Sequence, residues 1–167
     1  HRSTWSMIWN PKLEKYGLQL KNPKVYNKEN TQQWDMGVAG HNCYVDGEPL
    51  NFDDNLVKET EEEIGLKLMM YPKEEFLIKT KELKEGTIGC IIEEFHYKTE
   101  KTNEWVGLGF IITTETKLTF TDGEVADFKW FTVEELKEFL RTEKNYCSPV
   151  PIVFEKVEGF RKDNLIF

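Results

Sequence analysis

Residues 53–66 constrain this chain more than any other segment. Leu56, Val57, Thr60 and Ile64 recur at helical spacing and give a stripe that can face a core. Asp53 is placed to cap the first turn, and Gly65 stands where a C-terminal cap glycine belongs, so the pattern predicts a helix over 53–64. Glu59, Glu62 and Glu63 then fall at i, i+3 and i+4 and share one helix face. Like charges at this spacing repel by about 0.2–0.5 kcal/mol per pair. A cation between them offsets that repulsion, and hard divalent ions such as Mg2+ prefer carboxylate oxygen while keeping waters that a phosphate can replace. The competing reading is a solvated acidic face, common on Glu-rich helices.

Strand patterns surround this helix. Residues 3–9 and 16–20 read as a hairpin across the Asn10-Pro11 turn. Residues 34–39 resume as strand until Gly40 breaks it, and Asp46-Gly47 marks a turn in a long loop reaching Phe52. Further strand-like stretches cover 76–80, 87–97, 104–113 and 124–131. Thr132-x-x-Glu135 is a capping box opening a helix over 133–140, and Ser148-Pro149 opens a last helix towards Gly159. Strands outnumber helices without strict β-α-β alternation, which is the α+β class: a mixed sheet with helices on its faces.

Composition narrows the function. With 167 residues, 39% of them hydrophobic and 13% aromatic, the chain is read as one folded domain over 1–167. It shows no repeat or low-complexity linker. Its 22 basic and 30 acidic side chains sum to −8, a field that repels a phosphate backbone and excludes a broad nucleic-acid platform. A small anion can still be held through a bound divalent cation. No apolar run approaches the ~20 residues of a membrane helix. Cys43, Cys90 and Cys147 are odd in number and widely spaced, so neither a disulfide framework nor a metal knuckle is expected, and a cytoplasmic setting is. Beginning at His1 without an initiator methionine, the chain reads as trimmed or as part of something longer.

The central segment resembles the Nudix box: a glycine, five residues, a glutamate, seven residues, then Arg-Glu-aliphatic-x-Glu-Glu-x-Gly-aliphatic. Gly40 stands for the first glycine, Glu48 for the isolated glutamate and Lys58 for the arginine. Glu59, Glu62 and Glu63 match the metal-binding glutamates, and Gly65-Leu66 close the motif. Both gaps flanking Glu48 are two residues longer than the pattern, and Thr60 replaces an aliphatic residue. Lys58 lacks the planar fork with which arginine would orient a glutamate. Later matches are Gly123-Glu124-Val125, Trp130 and Glu134-Glu135-Leu136. His1-Arg2, Trp34-Asp35, Ala39-Gly40-His41, Asn103-Glu104 and Ser148-Pro149 resemble the branch containing type I isopentenyl diphosphate isomerase and its hydrolase-like relatives.

The resemblance implies a mixed sheet sandwiched between helices. It also implies a pyrophosphohydrolase acting on acid anhydrides, with a nucleoside diphosphate derivative or another small organic diphosphate as substrate. Mg2+, or Mn2+, is expected on Glu63 and Glu59 first and Glu62 third. Lys58 is expected to orient Glu59, and the general base to be Glu59 or Glu124. Gly40, His41, Trp34 and Glu104 are the expected substrate contacts. Trp105 and Trp130 are weaker stacking candidates, with Trp130 read as core. Loops 21–33 and 43–52 are expected to select the substrate, Arg161-Lys162 to lie on the surface, and the protein to be a monomer or homodimer. Isomerase activity is disfavoured because Ala39 replaces the cysteine that moves a proton, and Thr102 stands where a second glutamate is expected. A non-catalytic ligand sensor is the other alternative.

Overall fold

The computed structural model describes residues 1–22 and 32–167; of the 21–33 loop, residues 23–31 lie outside the described residues. The first strand, β1 (Arg2–Asn10), organises both layers. Side chains alternate across a strand, so Trp5, Met7 and Trp9 enter one core while Ile8 enters another on the opposite face. β1 pairs antiparallel with β2 (Lys15–Lys21) and parallel with β9 (Asn103–Thr113). The sheet runs in the order β10 (Val125–Phe131), β2, β1, β9, β8 (Thr87–Lys98), β7 (Met69–Met70). β3 (Trp34–Asp35) pairs with β2, and β4 (Val38–His41) with β1. The pairs β1–β9 and β7–β8 are parallel and the others antiparallel, so the sheet is mixed. A separate hairpin, β5 (Tyr44–Val45) with β6 (Glu48–Pro49), turns at Asp46-Gly47.

Helix α1 (Phe52–Ile64) covers one face by packing Leu56 and Ile64 with Ile8, Val38 and Ile111. Three helices cover the other: α2 (Lys73–Glu82), α3 (Val133–Thr142) and α4 (Val150–Asp163). Phe76, Leu136, Val153 and Val157 pack there with Trp5, Met7 and Phe110. The architecture is therefore α+β, a mixed sheet between helices. No helix among the described residues is long and apolar enough to cross a membrane.

Four local expectations are corrected. Residues 76–80 are helical, within α2. The apolar triplet Phe76-Leu77-Ile78 suggests a strand, but Glu74 and Glu75 in the first turn and Lys79 and Lys81 in the last complement a helix dipole. The cap of α1 is Asn51, whose side chain accepts the Asp54 N–H at 2.8 Å, and Asp53 lies inside the first turn. The 34–39 strand is divided. Asp35 accepts the Met36 N–H where the chain leaves β2 for β1, and Gly40 lies inside β4 instead of ending it. Arg161 is half-buried: its guanidinium grips Glu158 with two 2.8 Å bonds and lies 4.3 Å over the Trp9 ring.

Candidate active site

Strand β4 brings Gly40 directly against α1. A Cβ on Gly40 would stand 2.5 Å from Glu59 Cδ, so only glycine leaves room for that carboxyl. One turn further along α1, Glu63 is 1% exposed. Its Oε2 accepts from Gln19 Nε2 at 3.0 Å and from the Ala39 N–H at 3.3 Å. Gly65 ends the helix at φ 71°, and its N–H returns to the Glu61 carbonyl, so the cap is the expected one. Glu62 faces outward. Lys58 Nζ lies 2.6 Å from Glu62 Oε2 and 3.5 Å from Glu59 Oε1, so its contact with Glu59 is the weaker of the two.

Glu59 opens onto a cavity of about 460 Å3. Gly40, His41, Glu104 and Glu124, each expected from the sequence, also line it. Glu104 is held by Ser3 Oγ at 2.7 Å on Oε2 and faces His41 Nε2 at 3.3 Å through Oε1. Trp34 does not line the cavity: its ring stands edge-on to Phe131 and Phe139 at 6.3 and 6.0 Å. Trp105 is on the outside, donating to Glu94 at 2.8 Å, and Trp130 packs on Phe128.

Sequence reasoning missed several cavity residues. Trp5 and Tyr97 form an aromatic wall, their rings 5.1 Å apart and nearly perpendicular. Lys21, the first residue of the 21–33 loop expected to select the substrate, forms another wall with Asp35 through a 3.0 Å ion pair. Burial alone would lower the Lys21 pKa, but the Asp35 carboxylate more than reverses this and keeps the ammonium charged. Cys147 lies beside them, its thiol pushed up to about 12 by burial and by Asp35. Gln19 lies outside that lining, and a polar residue inside the strand 16–20 is its signal in the sequence.

The electrostatics suit a cation. Burial, opposed by Lys58 and reinforced by Glu62 and Glu124, raises the Glu59 pKa. Burial, opposed by the Gln19 hydrogen bond and reinforced by Glu59 and Asp35, holds Glu63 well above the usual carboxylate range. A hard divalent ion fits these oxygen donors. Among the described residues no three His, Cys, Asp or Glu side chains already converge as a metal cage, and Glu62 is engaged by Lys58.

No protein-family model matches the chain, and no curated protein matches it. Solved structures do match over nearly its whole length. The MutT protein of Methanosarcina mazei Go1 aligns at a TM-score of 0.63 and 15% identity, covering 96% of this chain and 94% of its own. A Nudix-family hydrolase of Clostridium perfringens aligns at 0.57 and 16%, covering 96% and 97%. The Nudix domain of Shewanella oneidensis NrtR, solved with ADP ribose, aligns at 0.60 and 9%, covering 95% and 86%. Identities this low speak for architecture alone, and the architecture this chain shares with all three is the Nudix fold.

Proposed function

We propose that this protein hydrolyses a diphosphate linkage, in a nucleoside diphosphate derivative or another small organic diphosphate, with the help of a divalent metal. One observation carries the reading: Glu59 and Glu63 are buried one helical turn apart, and Glu59 opens onto a cavity that the charged Lys21 also lines. Glu59 and Glu63 would hold Mg2+ or Mn2+, and Glu62 would join them on leaving Lys58. Such an ion lowers the pKa of bound water and screens charge on phosphoryl oxygens. The chain's own side chains supply the rest. Gly40 keeps the Glu59 carboxyl seated. Lys21 would meet a phosphate oxygen, and Glu59 or Glu124 would take the proton of the attacking water. Trp5, Tyr97, His41 and Glu104 bound the space left for the organic group.

The test is release of phosphate or mononucleotide from a panel of diphosphates in Mg2+ and Mn2+, wild type against Glu63→Gln. The wild type is expected to turn over at least one substrate, and Glu63→Gln to lose about a hundredfold, the scale of removing one group that stabilises transition-state charge. Equal rates overturn the reading. The 2.6 Å ion pair of Lys58 with Glu62 favours a second reading, a non-catalytic binder. Tight nucleotide binding without turnover would support it, and turnover removes it. The isomerase reading is disfavoured by Ala39, which lines the cavity with a methyl group that cannot move a proton.

A further inference from the structure

Gln19 lies on β2, outside the 40–66 motif and 44 residues from Glu63. It is 1% exposed and follows Tyr16 and Leu18, strand residues that pack as ordinary core. Its Nε2 donates to Glu63 Oε2 at 3.0 Å and, more weakly, to the Gly37 carbonyl at 3.4 Å. Its Oε1 is buried with no hydrogen-bond partner among the described residues. An orphaned buried amide oxygen is destabilising, and an apolar side chain of similar size would avoid it. Turning the amide over offers no relief, because Oε1 would then face the Glu63 carboxylate, acceptor against acceptor. What the residue offers in return is its nitrogen.

We propose that Gln19 is a positioning residue for Glu63: its amide tethers the carboxylate through Oε2 and thereby fixes where the other oxygen points. The Ala39 N–H donates to the same Oε2, so strands β2 and β4 clamp one oxygen from two directions. This rests on the reading of α1 as a metal-binding helix. Residues that orient a ligand from behind typically set metal affinity by about 10–100-fold.

Mn2+ affinity, measured by electron paramagnetic resonance on Gln19→Met, tests the assignment. Methionine keeps the volume and removes the donor. The dissociation constant is expected to rise by about tenfold or more, with the melting temperature of the metal-free protein unchanged or higher. Glu63→Gln is measured alongside. If Glu63→Gln loses Mn2+ and Gln19→Met keeps wild-type affinity, the role of Gln19 is overturned while the metal reading stands. If neither variant changes affinity, the metal reading falls and the Gln19 role with it. A second measurement needs no variant: in the wild type, the Gln19 side-chain amide resonances should shift on titration with Mg2+ at the concentration that saturates the protein. Resonances that stay fixed through saturation overturn the tether.

Discussion

Glu63 is nearly devoid of solvent, and its two donors, Gln19 and Ala39, carry no formal charge. An ionised carboxylate in that position is destabilising until a cation arrives. Glu63→Gln should therefore separate stability from function. Without metal, the variant is expected to melt about 2–4 °C higher, the shift for roughly 1 kcal/mol in a chain of this size. Its new amide can also donate to the orphaned Gln19 Oε1. Mg2+ is then expected to raise the melting temperature of the wild type and not that of the variant. Thermal melts in chelator and in Mg2+ check both halves; a variant that melts lower in chelator contradicts the account. Gly40→Ala acts on the neighbouring carboxylate from the other side. A methyl 2.5 Å from Glu59 Cδ must push that side chain off its seat. Displacing a reacting group by about 1 Å can cost on the order of a hundredfold, so diphosphate turnover should fall at least tenfold while far-ultraviolet circular dichroism stays native.

Elements that carry their own boundary signals were legible in the sequence. Helix α1 announced itself through a 3.6-residue stripe and the Gly65 cap, and α3 through the Thr132–Glu135 capping box, in which both reciprocal bonds form at 2.8 and 3.1 Å. Thr132→Ala removes one of them and is expected to cost about 1 kcal/mol, or 2–4 °C of melting temperature, with no effect on metal binding. Helix α2 was not legible because its one buried residue, Phe76, gives no periodicity to read. Its identity is carried by end charges, a weaker signal than three adjacent apolar residues. The walls of the cavity were hidden for another reason. Ser3 reaches Glu104 across 101 residues, and behind the cavity Gln19 meets Glu63 across 44, pairings that exist only once β1 lies between β2 and β9. Local pattern gives the carboxylate helix; topology alone brings Gln19, Lys21, Trp5 and Tyr97 to it.

At the scale of the molecule, the surplus of eight negative charges is partly concentrated where it is least screened. Glu59 and Glu63 titrate above the usual carboxylate value because of burial first, and because Glu62, Glu124 and Asp35 add their own charge. Below about pH 4.3, the ordinary glutamate value, the folded and unfolded chains both hold these protons and stability is indifferent to them. Above it the unfolded chain releases them first, so rising pH favours unfolding until the raised values have been passed. Asp53, raised by burial and by Asp54, acts with the same sign. The opposite contributions fall outside this window. Glu158 is lowered despite its burial by Arg161 and Tyr16, and loses its contribution only as pH falls into the acid range. The raised Lys21 contributes fully below about pH 10.4, the ordinary lysine value, and loses its share only above it. The metal-free protein should therefore lose melting temperature as pH rises above about 4.3, until the raised values have been passed. On the proposed metal role, saturating Mg2+ should flatten or reverse that slope, since a ligand that binds only the folded state stabilises it by mass action. Removing both buried charges with Glu59→Gln and Glu63→Gln should flatten it without metal. A metal-free profile that rises as pH climbs above about 4.3 would mean that these carboxylates are already neutralised by the chain itself, and the cation would have no charge left to compensate.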